Sequence, residues 1–367
     1  AVVSTQSDGQ LLRVEETANR GRSLISTRAI RGGEVVLRDN PILLYSALPF
    51  LHPSPYCDNC FKLLPHSNTA ATALTCRSCS RARFCSESCL ASPSHSPWSC
   101  QALLISSNSL SQLSTDLQIQ IRFLVAAYNL ALVSPSNFRL LLSLQGASPP
   151  NGDTLLLHNQ IPPLESSIPI SLDLTASLLA KDKLNAFGIM EPFDPRTSKG
   201  RNVRAYGIYP NAALFNHDCL PNACRFDYFD NSRGGNSPEI SVRLIHDIPE
   251  GREVCLSYFP VNFTFEERQQ RLMEDYGFVC ECDRCKVECC WSDGGDDELS
   301  QEEDEEMDDI DKEVSDVASD ENFPHSYFFA RFVCNREHCW GTLAPLPSSP
   351  SLLECNVCSS ISKDDAD

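Results

Sequence analysis

Residues 216–222, NHDCLPN, and residues 251–258, GREVCLSY, are the two stretches that decide the fold of this chain. A short Cys-rich segment with the spacing Cys280-x-Cys282-x2-Cys285 follows them. Three thiolates make an incomplete tetrahedral zinc site, so a fourth ligand must come from elsewhere in the fold. Spacing alone leaves four cysteines open as that ligand: Cys219, Cys224, Cys289 and Cys290.

The 19 cysteines of the chain are the most informative part of its composition. Because the first residues lack the basic-then-apolar pattern of a secretory signal, we expect an intracellular, reducing environment, in which thiols stay free or bind metal. Residues 57–100 place eight potential ligands close together, which is enough for two four-coordinate zinc ions. About 40 residues cannot fold on a core of their own, so metal binding would supply the folding energy. The eight are Cys57, Cys60, Cys76, Cys79, Cys85, Cys89, His95 and Cys100.

Two alternatives stay open for this block at the level of sequence. His66 competes with His95 as the histidine ligand, and scattered core cysteines are the alternative to a metal site. A separate set, Cys334-x4-Cys339 with Cys355-x2-Cys358, predicts a zinc ribbon-like site, for which free surface cysteines are the alternative. Cys255 is interpreted as a core residue.

Composition is otherwise that of a globular protein, with 42% hydrophobic and 22% charged residues in 367 positions, enough for two or three compact units. The net charge of −19 is mostly local, because residues 293–321 carry sixteen Asp and Glu against one Lys. Taking away that −15 leaves −4 for the remaining chain, so direct binding to DNA is not expected. The acidic segment is interpreted as a disordered linker, with attraction of basic peptides as the alternative. No apolar run reaches the roughly 18 residues of a membrane span.

Apolar periodicity predicts an α+β fold of several segments. A helix is expected over 116–133, and the capping box Thr264–Glu267 opens another that stops at Gly277. Strands are expected at 34–38, 42–45, 205–209, 240–245 and 253–258. The predicted segments are an N-terminal part of the main domain (1–56), the first Cys/His block (57–100), a helical insert (101–181), the core of the main domain (182–260), a Cys-rich segment (261–290), an acidic linker (291–323) and a small C-terminal Cys-bearing unit (324–367).

The two opening stretches resemble signatures of SET-domain methyltransferases. NHDCLPN resembles their NHSCxPN motif with Asp218 in place of Ser, and GREVCLSY resembles GEELTxxY. Residues 20–24, RGRSL, resemble the (K/R)GxGL entry loop, with Ser23 where the second glycine usually stands. A zinc finger of the MYND type inserted between loop and signature is the layout of the SMYD group, and the overall match is closest to its plant ASH-related members.

This resemblance implies a mainly-β SET domain with a knot-like C-terminal crossing, a helical insert, an inserted MYND finger and a post-SET zinc site. It implies about four zinc ions and S-adenosylmethionine as cofactor. The cofactor-binding residues would be Arg20, Arg22, Asn185, Phe187, Asn216 and His217, the last largely through its backbone. Tyr258 would be the catalytic tyrosine, and Tyr276 and Phe278 would form walls of the lysine channel. The implied zinc ligands are Cys57, Cys60, Cys85 and Cys89 (first ion), Cys76, Cys79, His95 and Cys100 (second), Cys219, Cys280, Cys282 and Cys285 (third), and Cys334, Cys339, Cys355 and Cys358 (fourth).

The implied function is transfer of a methyl group from S-adenosylmethionine to a lysine of a protein, with a histone tail as one substrate considered. The alternative is a weakly active or inactive adaptor whose finger binds proline-rich peptides, since Ser23, Ala213 and Asp218 depart from the family pattern. The resemblance places such a protein in the nucleus, the cytoplasm or both, without a membrane partner.

Overall fold

The computed structural model describes residues 10–18, 20–50, 54–65, 73–109, 112–164, 169–196, 201–230, 238–290 and 326–364. The predicted acidic linker and His66 lie outside these residues. The strands are β1 (Leu12–Thr17), β2 (Gly21–Ser26), β3 (Val35–Asp39), β4 (Leu43–Ser46), β5 (Leu74–Thr75), β6 (Arg83–Phe84), β7 (Ala186–Met190), β8 (Val203–Ile208), β9 (Asn216–His217), β10 (Ala223–Asp227), β11 (Ile240–Leu244), β12 (Cys255–Leu256), β13 (Leu343–Leu346), β14 (Ser349–Cys355) and β15 (Ile361–Lys363). The helices are α1 (Glu87–Leu90), α2 (Pro97–Ser109), α3 (Thr115–Val133), α4 (Pro135–Ser143), α5 (Gly152–His158), α6 (Leu172–Asn185), α7 (Phe265–Arg271), α8 (Asp283–Glu288) and α9 (Ser326–Phe332). None of the helices among these residues has both the length and the apolar character that a membrane crossing needs.

Small sheets surround the two signature stretches. β1 pairs with β2, β11 lies between β10 and β3, and β8 lies between β4 and β7, all antiparallel. β9 and β12 pair in parallel, with Asn216 opposite Cys255 and His217 opposite Leu256. Tyr209, Phe215 and other apolar residues of these strands form a shared buried core beneath the pairing. The fold thus brings the two signatures side by side on a packed base.

The strand predicted over 253–258 is wrong in length, because only Cys255–Leu256 is a strand. Side chains form hydrogen bonds with backbone groups that would pair with the neighbouring strand if the strand were longer. Asn222 donates its side-chain amide to the carbonyl of Glu253 at 2.8 Å, and the backbone N–H of Tyr258 donates to the imidazole of His217 at 3.1 Å. Backbone groups satisfied in this way leave the strand ends irregular.

Helices α2 to α6 form a layer against β4, and α3 is its centre. Ser114 caps α3 by accepting a hydrogen bond from the N–H of Leu117, so the helix begins next to the position that apolar spacing predicts. Its buried face packs in a core that includes Phe123, Tyr128 and Leu178. α7 begins with the predicted capping box, and the following π-helical turn ends at Gly277, whose φ of 76° favours glycine.

The small C-terminal unit of α9 and β13–β15 is docked on the main domain by a buried ion pair. Arg243 of β11 and Glu354 of β14 approach within 3.0 Å, with only 4% and 1% of their side chains exposed. The Tyr228 hydroxyl donates to the same carboxylate at 3.1 Å. Gly33 lies against this unit with a φ of 85°, where an added Cβ would stand 2.9 Å from the carbonyl oxygen of Pro345. The unit is therefore packed into the fold.

Replacing Glu354 by Ala should destabilise the protein by about 3–5 kcal/mol, because it leaves the buried Arg243 guanidinium without its counter-charge. Chemical denaturation in the presence of zinc measures the loss. Glu239→Ala is the matched control, since Glu239 pairs with Arg38 at the surface and its removal should cost less than about 1 kcal/mol. Equal losses in the two variants would contradict the docking role.

Candidate active site and metal centres

Sixteen side chains converge into four groups of metal-ligand geometry. In each group the four ligand atoms all lie within 4.8 Å of one another. A zinc–sulfur bond of about 2.3 Å in a tetrahedron gives ligand atoms about 3.8 Å apart. The sulfur atoms of Cys339 and Cys355 are 3.5 Å apart and those of Cys76 and Cys100 are 3.9 Å apart, so the donor sets fit zinc. The groups are Cys57, Cys60, Cys85 and Cys89; Cys76, Cys79, His95 and Cys100; Cys219, Cys280, Cys282 and Cys285; and Cys334, Cys339, Cys355 and Cys358.

The third group contains a fourth cysteine beside Cys280, Cys282 and Cys285. Cys219 stands 3.9 Å from Cys280 and 3.5 Å from Cys285, sulfur to sulfur. Of the alternatives, Cys224 is buried in the core beside Phe226, while Cys289 and Cys290 are exposed after α8. Cys255 is buried, as expected of a core residue.

Two arginines beside this third group were not found by sequence reasoning. The Arg268 guanidinium is fully buried, donates to the sulfur of Cys219 at 3.2 Å and lies 3.8 Å from that of Cys285. It also pairs with Glu288 at 2.5 Å, and Arg284 holds the other oxygen of Glu288 at 2.6 Å. Four thiolates around a divalent ion carry excess negative charge, and the Arg268 cation offsets it. Arg268 and Arg284 are 16 positions apart in the sequence, and no motif connects them.

An aromatic cluster packs beside the same group. The Tyr258 hydroxyl donates to the carbonyl oxygen of Phe215 at 2.9 Å, and the rings of Tyr258 and Tyr276 have centroids 4.8 Å apart. Phe278 stands next to Tyr276 at 6.5 Å between centroids and is 37% exposed, which puts it at the outer edge of the cluster. Burial raises the pKa of the Tyr258 hydroxyl, and the neighbouring Tyr276 adds to that shift. The phenol therefore stays protonated and acts as a hydrogen-bond donor.

Glu253 organises two of the predicted cofactor residues, although sequence reasoning assigned it no role. Its carboxylate accepts from the side-chain amide of Asn216 at 2.8 Å and pairs with Arg20 at 2.9 Å. Arg20 also donates to the backbone carbonyl of His217 at 3.1 Å. The position of Glu253 within GREVCLSY was the available signal, because a charged residue entering a buried strand pairing needs a partner.

The imidazole of His217 is turned away from solvent and toward the third metal group. It is 3% exposed, and its Nε2 lies 3.2 Å from the sulfur of Cys219. Burial lowers the pKa of His217 to about 3, so the ring is neutral. The ring of His217 is therefore turned away from any ligand in solvent, and the predicted cofactor contact through its backbone stays a prediction.

The other three predicted cofactor residues lie in β2, in β7 and at the end of α6. Arg22 lies in β2, and its carbonyl accepts from the amide of Asn216 at 3.2 Å. The ring of Phe187 packs edge-on against Tyr209 with centroids 5.7 Å apart. The side chain of Asn185 is buried and donates to the carbonyls of Gln145 and Lys181, so it faces α6 and the segment that follows α4.

Asp39 is a further support that sequence reasoning missed. Its buried carboxylate accepts from the backbone N–H groups of Asn211 and Ala212 at 2.8 and 2.9 Å. This holds the turn that leads to the Phe215 carbonyl, the acceptor for Tyr258. An Asp at the end of a strand is too common a feature to signal such a role.

The purified protein should contain four zinc ions per chain by inductively coupled plasma mass spectrometry, one for each ligand group. Replacing both Cys339 and Cys358 by Ser should lower the count to three, because the fourth group keeps only two thiolates. Cys290→Ser, which removes an exposed thiol outside the groups, should leave four. A count of two or fewer in the unchanged protein would contradict the ligand assignments.

Comparison with known proteins identifies relatives over nearly the whole chain. The SET domain family matches residues 21–259. Histone-lysine N-methyltransferase ASHR2 of Arabidopsis thaliana is 51% identical to this chain over 97% of its length and 96% of the relative. Histone-lysine N-methyltransferase SMYD3 of Mus musculus is 27% identical over 76% of this chain and 63% of the relative.

These matches confirm the predicted resemblance to SET-domain proteins of the SMYD group and their plant ASH-related members. They also fit the geometry, since the matched range contains the strand Asn216–His217 and Tyr258, whose backbone N–H donates to His217. From the match over residues 21–259 and the 51% identity across nearly the whole chain, this chain belongs to the SET domain family.

Proposed function

We propose that this protein is a protein-lysine N-methyltransferase that uses S-adenosylmethionine. The observation that carries the proposal is the Tyr258 hydroxyl held 2.9 Å from the Phe215 carbonyl within an aromatic cluster. The names of the Arabidopsis and mouse relatives, both histone-lysine N-methyltransferases, support the same reaction.

The residues beside the aromatic cluster suit the charges of S-adenosylmethionine. Arg20 keeps 36% of its side chain exposed while Glu253 and the His217 carbonyl fix its position, so its guanidinium can meet a carboxylate. The peptide groups of Asn216 and His217 can meet the edge of an adenine ring, and Arg22 and Phe187 border the same region. When bound, the cofactor supplies a methyl group on a positively charged sulfur.

The aromatic walls prepare the lysine. Tyr258, Tyr276 and Phe278 surround the side chain with apolar surface, which disfavours the ammonium form and lowers the lysine pKa toward the reactive neutral amine. The Phe215 carbonyl and the Tyr258 oxygen can hold the methyl group by weak C–H···O contacts. Holding the nitrogen in line with the methyl carbon removes much of the entropic barrier. The proton released by the amine is assigned to water, because the Tyr258 phenol is kept protonated.

A basic peptide is the substrate that the charges around the aromatic cluster favour, and a histone tail is the proposed example. Glu274 lies exposed on the turn that carries Tyr276, and Glu281 lies exposed just beyond it, whereas Asp275 between them is half-buried and pairs with Arg271. Such a rim attracts positive charge. This proposal also places the protein in the nucleus, the cytoplasm or both.

The finer architecture follows from the same proposal. We assign the first Cys/His block to a MYND finger, the pairing of β9 with β12 to the knot-like crossing, and the domain limits to those stated from the sequence. The finger would bind proline-rich peptides.

Cys76→Ala, which removes a ligand of the second zinc group, should then abolish binding of a proline-rich test peptide, while Cys290→Ser should keep it. Isothermal titration calorimetry measures the binding of both variants. Retained binding in Cys76→Ala would refute the assignment.

Tyr258→Phe should lower kcat about 100-fold because the reacting groups lose a positioning contact, with S-adenosylmethionine affinity nearly unchanged. Transfer of labelled methyl to histone peptides measures kcat, and calorimetry measures affinity. Tyr128→Phe is the matched control, since its hydroxyl also makes a buried hydrogen bond, to Thr175 at 2.8 Å, but lies in the helical insert. Full activity in Tyr258→Phe would sink the mechanism.

Glu253→Gln should weaken S-adenosylmethionine binding about 5- to 10-fold, the size of one ordinary hydrogen bond, about 1 kcal/mol. The physical reason is that Arg20 loses its ion pair and Asn216 loses a charged acceptor. Calorimetric titration provides the measurement, with Glu34→Gln, which disrupts the surface pair with Arg28, as a control expected to bind normally. Unchanged affinity in both variants would rule out the organising role of Glu253.

A further inference from the structure

The imidazole of His217 lies between a zinc ligand and the backbone of a tyrosine in the aromatic cluster. Its Nε2 is 3.2 Å from the sulfur of Cys219, and its Nδ1 accepts the backbone N–H of Tyr258 at 3.1 Å. No other side chain among the described residues has both of these contacts. Both nitrogens are therefore engaged, one on each side.

The two contacts together determine where the ring carries its proton. A backbone N–H can only donate, so Nδ1 must offer a lone pair to Tyr258. The single proton of a neutral imidazole then lies on Nε2, which donates it to the sulfur of Cys219. A zinc-bound thiolate is a good acceptor for such a donor, because it keeps much of its negative charge.

Packing leaves the ring little room to turn. Its centroid is 4.7 Å from that of Phe259 and 5.2 Å from that of Tyr258, and only 3% of the residue is exposed. Cys219 also accepts a hydrogen bond from Arg268 at 3.2 Å. The position of the sulfur thus determines the position of the ring, and the ring determines the backbone at residue 258.

We propose that His217 is a positioning residue that links the Cys219 zinc site to Tyr258, so that the state of this zinc site controls the placement of the catalytic phenol. The kinetic part of this proposal rests on the proposed methyl transfer, whereas its metal and tautomer parts do not. The site would make methyl transfer dependent on a zinc ion that never touches the substrate. Loss of that ion would remove the thiolate acceptor, free the ring and release the N–H of Tyr258.

Two substitutions separate the two bonds. In His217→Gln the side-chain amide reaches the former Nε2 position, so an N–H can still donate to Cys219 while the acceptor for Tyr258 is lost. In His217→Asn the shorter amide reaches the former Nδ1 position, so its oxygen can still accept from Tyr258 while the donor to Cys219 is lost. His158→Asn is the matched control. His158 also forms a partly buried hydrogen bond, to Thr175 at 2.9 Å, but it lies in α5 and belongs to none of the four metal groups.

The two variants are expected to affect zinc release and kcat in opposite order. His217→Gln should release zinc at a rate within about twofold of the unchanged protein, and His217→Asn should release it about tenfold faster, as is usual when a zinc ligand loses its outer-shell partner. For kcat the order reverses, with a fall of about tenfold in His217→Gln and a smaller fall in His217→Asn. The control should change neither quantity. A structural role alone would weaken both properties in parallel in both variants, and that result would overturn the proposal.

Zinc release is followed with a metallochromic dye under excess chelator, and Cys219→Ser identifies the phase that belongs to the third group. Nuclear magnetic resonance of protein with 15N-labelled histidine gives an independent readout, with the His217 signal identified by its absence in His217→Asn. The proposal expects the proton on Nε2, and a proton on Nδ1 would overturn it. If the unchanged protein transfers no methyl to any lysine peptide, the proposed function fails while the zinc-release and resonance measurements still decide the link.

Discussion

The parallel pairing of Asn216–His217 with Cys255–Leu256 is the constraint on which the rest of the site depends. Two residues per strand cannot hold such a pairing by backbone hydrogen bonds alone. Side chains complete it instead: Asn222 bonds the backbone on both sides of Val254, at Glu253 and Cys255, and His217 bonds that of Tyr258. Each of these bonds joins parts of the chain that are more than thirty positions apart, so the site exists only when the strand pairing and its side-chain bonds are all formed.

Metal sites take the place of apolar core where the chain is too short to build one. The first Cys/His block buries few large apolar side chains besides Leu64 and Phe84, and its cluster is otherwise made largely of cysteines. The small C-terminal unit is similar, but it adds the buried Arg243–Glu354 pair and packs Phe328 and Phe332 against the main domain. The third group differs again, because its cysteines come from both sides of the crossing and it therefore stabilises the site directly.

Charge compensation explains why the third group is surrounded by arginines. Buried thiolates would be costly without positive partners. Arg268 is one such positive partner, and Glu288 forms ion pairs with both Arg268 and Arg284. These ion pairs connect the third metal group to helices α7 and α8. Tyr276 is carried by the π-helical turn that directly follows α7, the helix of Arg268, so Tyr276 is joined to the same ion pairs.

The sequence by itself determined the cysteine pairs of metal-ligand spacing, the helix at α3, the capped helix at α7 and the family, because each depends on short-range spacing or on a motif read within one stretch. It could not choose among four candidate ligands from spacing alone, nor find Glu253, Arg268 or Asp39. Only the tertiary structure decided these, since each acts on a partner far away in sequence. The same reason explains the overlong predicted strand and the inward-turned side chains of Asn185 and His217: apolar pattern indicates which residues are buried, whereas the direction a polar side chain faces depends on which partner the folded chain brings within hydrogen-bond distance.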